Sequence, residues 1–138
     1  MIKNILVALD GSKNSIRALS NAIRIAKQHD ASITGLTVIQ TYPTDLGLLR
    51  TMIGKKLEKH YKHFMSIAKA MCTKKNVDFL NAIEFGAEGP TIVSFAEKND
   101  YDMIVIGSRG MGKLGELFLG STSTYVMHST KIPVLIIK

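Results

Sequence analysis

The residues best suited to chemistry are gathered between Gly107 and Thr124, where the chain reads Gly-Ser-Arg-Gly-Met-Gly-Lys-Leu-Gly-Glu-Leu-Phe-Leu-Gly-Ser-Thr-Ser-Thr. Five of the eleven glycines fall here, directly after the apolar run Asp102 to Gly107. Glycine lets main chain approach an anion and turn its N–H groups toward it, and a helix start adds a favourable dipole. Together these features suit phosphate binding. Two familiar phosphate-loop patterns fall within the stretch, and neither completes. Gly110 to Gly115 has the G-x-G-x-x-G spacing of a dinucleotide fingerprint, which needs a carboxylate about 20 residues on to hold ribose hydroxyls. No acid follows Glu116. Gly107 to Leu114 follows the P-loop as far as Gly112-Lys113, then puts Leu114 where a hydroxyl should meet magnesium.

A third spacing fits without a gap. Gly107-x2-Gly110-x9-Gly120-Ser121 is accompanied by Asn4-Ile5-Leu6-Val7-Ala8-Leu9-Asp10-Gly11-Ser12 at the start of the chain. The strand-like run Asp-Met-Ile-Val-Ile-Gly precedes the glycines, and Pro133-Val134-Leu135-Ile136-Ile137 closes the chain. In these marks the whole chain resembles the universal stress protein family, specifically the branch that binds ATP through G-x2-G-x9-G-[ST].

The resemblance implies a role for each matching position. Asp10 would lie near the nucleoside, with the main chain of Ala8 and Leu9 before it, and Val38 would read the adenine edge through its backbone. Gly107 and Gly110 would let the chain fold over ribose and phosphates, with Ser108, Arg109, Met111, Gly112 and Lys113 lining the loop. Gly120, Ser121, Thr122 and Ser123 would open the last helix, where hydroxyls and free N–H groups meet the phosphate tail. Arg109 and Lys113 carry charge suited to neutralising phosphate. Gly112 and Gly115 are extra glycines, expected to loosen the loop and weaken affinity. The implied function is that of an ATP-binding, nucleotide-dependent regulator or switch in stress response, with Mg2+ or Mn2+ bridging phosphate oxygens. A homodimer paired through the last strand is also implied. No general base stands out, so hydrolysis is expected to be slow or partner-stimulated. Two other readings stay open: a genuine ATP hydrolase, and a nucleotide-independent interaction module built on the basic segment 50–75.

Positioning such a site requires alternating strands and helices, and the pattern supplies them. Ile2 to Leu9 reads as a strand ended by the turn Asp10-Gly11-Ser12. Residues 13–29 carry a helical stripe of Ile16, Leu19, Ala22, Ile23 and Ala26. Ile33 to Ile39 is a second strand, and residues 45–75 are helical with Leu57, Tyr61, Phe64, Ala68 and Met71 inward. Val77 to Phe85 is a third strand, stopped by Gly86-Ala87-Glu88-Gly89-Pro90, with Pro90 in the first turn of the helix that follows. Asp102 to Gly107 and Pro133 to Ile137 are the last two strands, separated by a helix ending near Ser129. Strands apolar on both faces indicate an α/β fold. The expected form is an open, doubly wound, Rossmann-like parallel sheet of five strands in the order 3-2-1-4-5, with helices on both faces. Ligands of such sheets sit outside the carboxyl ends of the strands, where the winding reverses.

Composition bounds the rest. The 138 residues are expected to form one domain spanning 1–138, and 46% hydrophobic against 21% charged residues excludes general disorder. A single cysteine, Cys72, excludes a disulfide framework and is expected to be partly buried. No apolar run reaches membrane-spanning length and no secretory segment opens the chain, so a cytoplasmic location is expected. The net charge of +7 belongs to one segment, for Arg50 to Lys75 holds eight Lys/Arg against Glu58 alone, and the remainder balances ten against ten. No aromatic interleaves with those lysines, which indicates a solvated helix face rather than a nucleic-acid surface. His29, His60, His63 and His128 lack metal-ligand spacing.

Overall fold

The computed structural model describes residues 1–40, 47–109 and 119–138, with side chains described in these ranges except at 47–53. The elements run β1 (Asn4–Ala8), α1 (Lys13–His29), β2 (Ser32–Ile39), α2 (Gly47–Lys74) and β3 (Phe79–Phe85). They continue through α3 (Glu88–Lys98), β4 (Met103–Gly107), α4 (Ser121–Ser129) and β5 (Val134–Ile137). All pairings are parallel in the order β3-β2-β1-β4-β5, with Ile5 opposite Ile33 on one side and Met103 on the other. The fold expected from the alternating pattern is the one observed.

The period of two along each strand sorts the core into two layers. Ile5, Val7, Ile33 and Val105 face Leu19, Ile23, Phe64 and Ala68 of α1 and α2. Leu6, Leu36, Ile104 and Ile106 face Ile92, Val93 and Ala96 of α3 and Val126 of α4. Helix α1 begins at a true cap, since the Ser12 hydroxyl accepts the Ser15 N–H at 3.1 Å. Helix α3 starts at Glu88, so Pro90 does fall in its first turn.

Three expectations need correction. Leu57 does not pack inward but is 43% exposed, and the buried face of α2 is Phe64, Met65, Ala68 and Cys72. At 28 residues, α2 is about 42 Å long, well beyond the reach of a seven-residue strand, so its early turns outrun the sheet they would pack on. Cys72 is fully rather than partly buried, and that burial pushes its thiol up to about 11. Strand β3 is not covered on both faces, because it forms one edge of the sheet and leaves Leu80 69% and Phe85 64% exposed. The described lysines of α2 are all exposed, with Lys62 meeting Glu58 at 3.1 Å in an i,i+4 pair. Among the described residues no helix is long and apolar enough to cross a membrane.

Two polar contacts hold the ends of the sheet. At the amino ends, the backbone N–H groups of Lys3 and Asn4 both donate to Asp102 Oδ2 at 2.9 Å. These two bonds hold the Asp102 carboxyl below its usual value. At the carboxyl ends, Asn14 joins three elements: its Nδ2 donates to the Ile137 carbonyl at 3.1 Å and its Oδ1 accepts the Arg109 N–H at 2.8 Å. A Cβ on Gly107 would run into that amide, so glycine is required there for α1 to lie against β4.

Asn14→Ala removes both bonds at once and should lower unfolding free energy by about 1–3 kcal/mol in urea titration. A lowered carboxyl contributes stability that is present above its unfolded value and lost as pH falls through the folded one. The melting temperature of the wild type should therefore exceed that of Asp102→Asn near neutral pH, and the gap should narrow as acidification carries the pH below the usual carboxylate range.

Candidate functional site

The chain leaves β1 toward β2 and then β3, and returns to the other side of β1 as β4. The loops at the carboxyl ends of β1 and β4 therefore diverge, and a cavity of about 310 Å³ opens between them. Its floor is apolar, made by Leu36, Ile92 and Ile106 from the α3–α4 layer of the core. Above that floor the walls turn polar.

The first wall is the end of β1. The Leu9 N–H donates to Leu36 O at 2.9 Å and its carbonyl accepts Thr37 Oγ1 at 2.9 Å, so this main chain is already held by β2. Asp10 follows, half-buried, with Oδ1 accepting the Ser12 N–H at 2.9 Å. Ser15 reaches back from α1, its Oγ donating to Ser12 O at 3.0 Å and accepting the Asp10 N–H at 3.4 Å. This network fixes the carboxylate at the mouth without consuming both of its oxygens in the Ser12 bond. Val38 lines the side formed by β2.

The opposite wall is the start of α4. Gly120 is its N-cap and makes no side-chain cap bond, so no side chain at the cap covers the N–H groups of the first turn. The Gly120 N–H itself donates to Ser108 O at 2.6 Å, and Ser123 Oγ donates to Ser108 O at 3.2 Å and Gly120 O at 3.0 Å. A donor-rich helix start is thus pinned against the end of β4. Glu88, the first residue of α3, also lines the cavity, and its Oε2 accepts the Thr122 hydroxyl at 2.8 Å. The two helices approach closely at this point, since a Cβ on Gly89 would meet the Tyr125 ring at 2.7 Å.

Ala8, Leu9, Asp10, Val38, Gly107 and Arg109 all come to this cavity, as do Gly120, Ser121, Thr122 and Ser123. Ser108 does not line it: this residue is buried behind the wall, where its N–H donates to Ile137 O at 2.7 Å and its carbonyl receives Gly120. Its role is to hold the loop rather than to face an occupant. Gly110, Met111, Gly112 and Lys113 lie outside the described residues. Sequence reasoning missed Ser15, Leu36, Ile92, Ile106 and Glu88. The period of two running from Ile104 would have found Ile106, and the turn after the third strand pointed at Glu88 without giving it a task. Among the described lining residues the charges are Asp10, Glu88 and Arg109. Among the described residues no group of three or more His, Cys, Asp or Glu could hold a metal ion. The donor set suits a cation that arrives with phosphate ligands and takes one or two carboxylates, as magnesium does.

The sequence matches the universal stress protein family over residues 1–138. The universal stress protein MJ0531 of Methanocaldococcus jannaschii is 31% identical over 142 residues, covering 100% of this chain and 83% of that protein. Among solved structures, the universal stress protein UspA from Lactobacillus plantarum superposes with a TM-score of 0.84 at 26% identity, over 99% of this chain and 97% of that one. A universal stress protein from Archaeoglobus fulgidus, solved in complex with dAMP, shares the fold with a TM-score of 0.74 at 20% identity, over 100% of this chain and 98% of that one. With sequence and architecture agreeing from end to end, this chain belongs to the universal stress protein family.

Proposed function

We propose that this protein binds an adenine nucleotide, ATP in the first place, and acts as a nucleotide-dependent regulator in stress response rather than as a fast enzyme. The observation that carries this reading is a cavity at the switch point of the sheet with a carboxylate on one wall and an uncapped helix start on the other. In this reading the base lies over Leu36 and Ile106 with its edge at the Val38 main chain, and Asp10 accepts hydrogen bonds from ribose hydroxyls. The N–H groups of Ser121 and Thr122 hold phosphate, and Arg109 adds positive charge. Mg2+ or Mn2+ would supply charge neutralisation between phosphate oxygens, with Asp10 and Glu88 as the available carboxylates.

Hydrolysis in this arrangement is slow. Asp10 is shared between Ser12 and, in this reading, the ribose hydroxyls, and no other described wall residue offers a base beside an attacking water except Glu88, which is held by Thr122. We also propose a homodimer through β5, the outer strand beside β4, whose four residues are only half-buried.

Protein purified without added ligand and then denatured should release an adenine nucleotide identifiable by mass; release of none, with no binding on titration, overturns the reading. Asp10→Ala should weaken nucleotide binding about tenfold or more in calorimetry while leaving the fold intact. Gly120→Val would add bulk 3.2 Å from the Ser108 carbonyl and should abolish binding by displacing the start of α4. Light scattering should return about twice the 15.2 kDa chain mass.

A further inference from the structure

Glu88 is an unexpected wall residue for a site that takes anions. Its carboxylate sits at the first position of α3, where the helix dipole favours negative charge, and it accepts the hydroxyl of Thr122, the second residue of α4. Thr122 belongs to the same turn whose N–H groups would receive phosphate. A phosphate seated there stands next to a fixed negative charge and competes with it for the Thr122 hydroxyl. Asp10 adds a second carboxylate to the same cavity, and Arg109 is the one cation among the described lining residues.

The geometry points to Glu88 as the residue that sets the phosphate preference of this cavity: it tolerates a monophosphate unaided but admits a polyphosphate tail only when a divalent cation lies between that tail and its carboxylate. This rests on the adenine-nucleotide reading and adds to it a selectivity that depends on charge. Repulsion grows with each phosphate brought to the start of α4, whereas a cation coordinated by phosphate oxygens and one carboxylate turns the same group into a ligand. Glutamine at this position keeps an acceptor for Thr122 and the side-chain volume, and removes only the charge.

The test is calorimetric titration of the full chain, wild type and Glu88→Gln, freed of bound nucleotide. Each is titrated with AMP and with ATP, in excess MgCl2 and in EDTA. The wild type should bind ATP about tenfold or more weakly in EDTA than in magnesium, with AMP changing by less than about threefold. Glu88→Gln should bring ATP binding in EDTA to within about threefold of its value in magnesium. A variant that keeps the full magnesium dependence of the wild type overturns the assignment to Glu88 and leaves nucleotide binding standing. Failure of both proteins to bind either nucleotide overturns the nucleotide reading, and this inference with it.

Discussion

The direction in which the chain winds away from β1 is the constraint on which the site depends. With β2 on one side of β1 and β4 on the other, the connections leaving their carboxyl ends must part, and a cavity opens between them. The described residues that line that gap are delivered by the same geometry: the turn after β1, the ends of β2 and β4, the starts of α3 and α4. The apolar floor is the top of the core layer beneath, so the forces that fold the protein also shape the seat.

Within that frame the polar parts are held by one another. Ser108, buried and facing away from the cavity, receives both Gly120 and Ser123 and so fixes where α4 begins. Asn14 ties Arg109 to the first turn of α1 and to the last strand. The described wall is thus not a flexible glycine loop but a set of main-chain groups already committed to their places. Pre-set donors of this kind lower the ordering cost of binding.

The fold was legible because parallel strands buried on both faces write themselves as short apolar runs, and because Asp10-Gly11-Ser12 and Gly86 to Pro90 punctuate them clearly. Edges and lengths were less legible. Leu57 continues the apolar stripe of α2, yet periodicity carries no information about where the underlying sheet stops, and the residue stays exposed. Leu80 and Phe85 look like core residues in a strand whose edge position is a matter of topology. At the site, the glycine spacing pointed to Gly107 and to Gly120 through Ser123, which line the cavity, and it carried no sign of the approach of α3 to α4. Glu88 faces Thr122 across 34 positions of sequence, and only the meeting of α3 with α4 brings them together.

The burial of Cys72 bears on what kind of signal this protein can register. Burial pushes the thiol up to about 11, which keeps it protonated at neutral pH, and it is sealed between α2 and the sheet. Peroxides and disulfides react with exposed thiolates, and the native chain presents none, since this is its sole cysteine. The native packing therefore shields that sulfur, and oxidants reach it once α2 leaves the sheet.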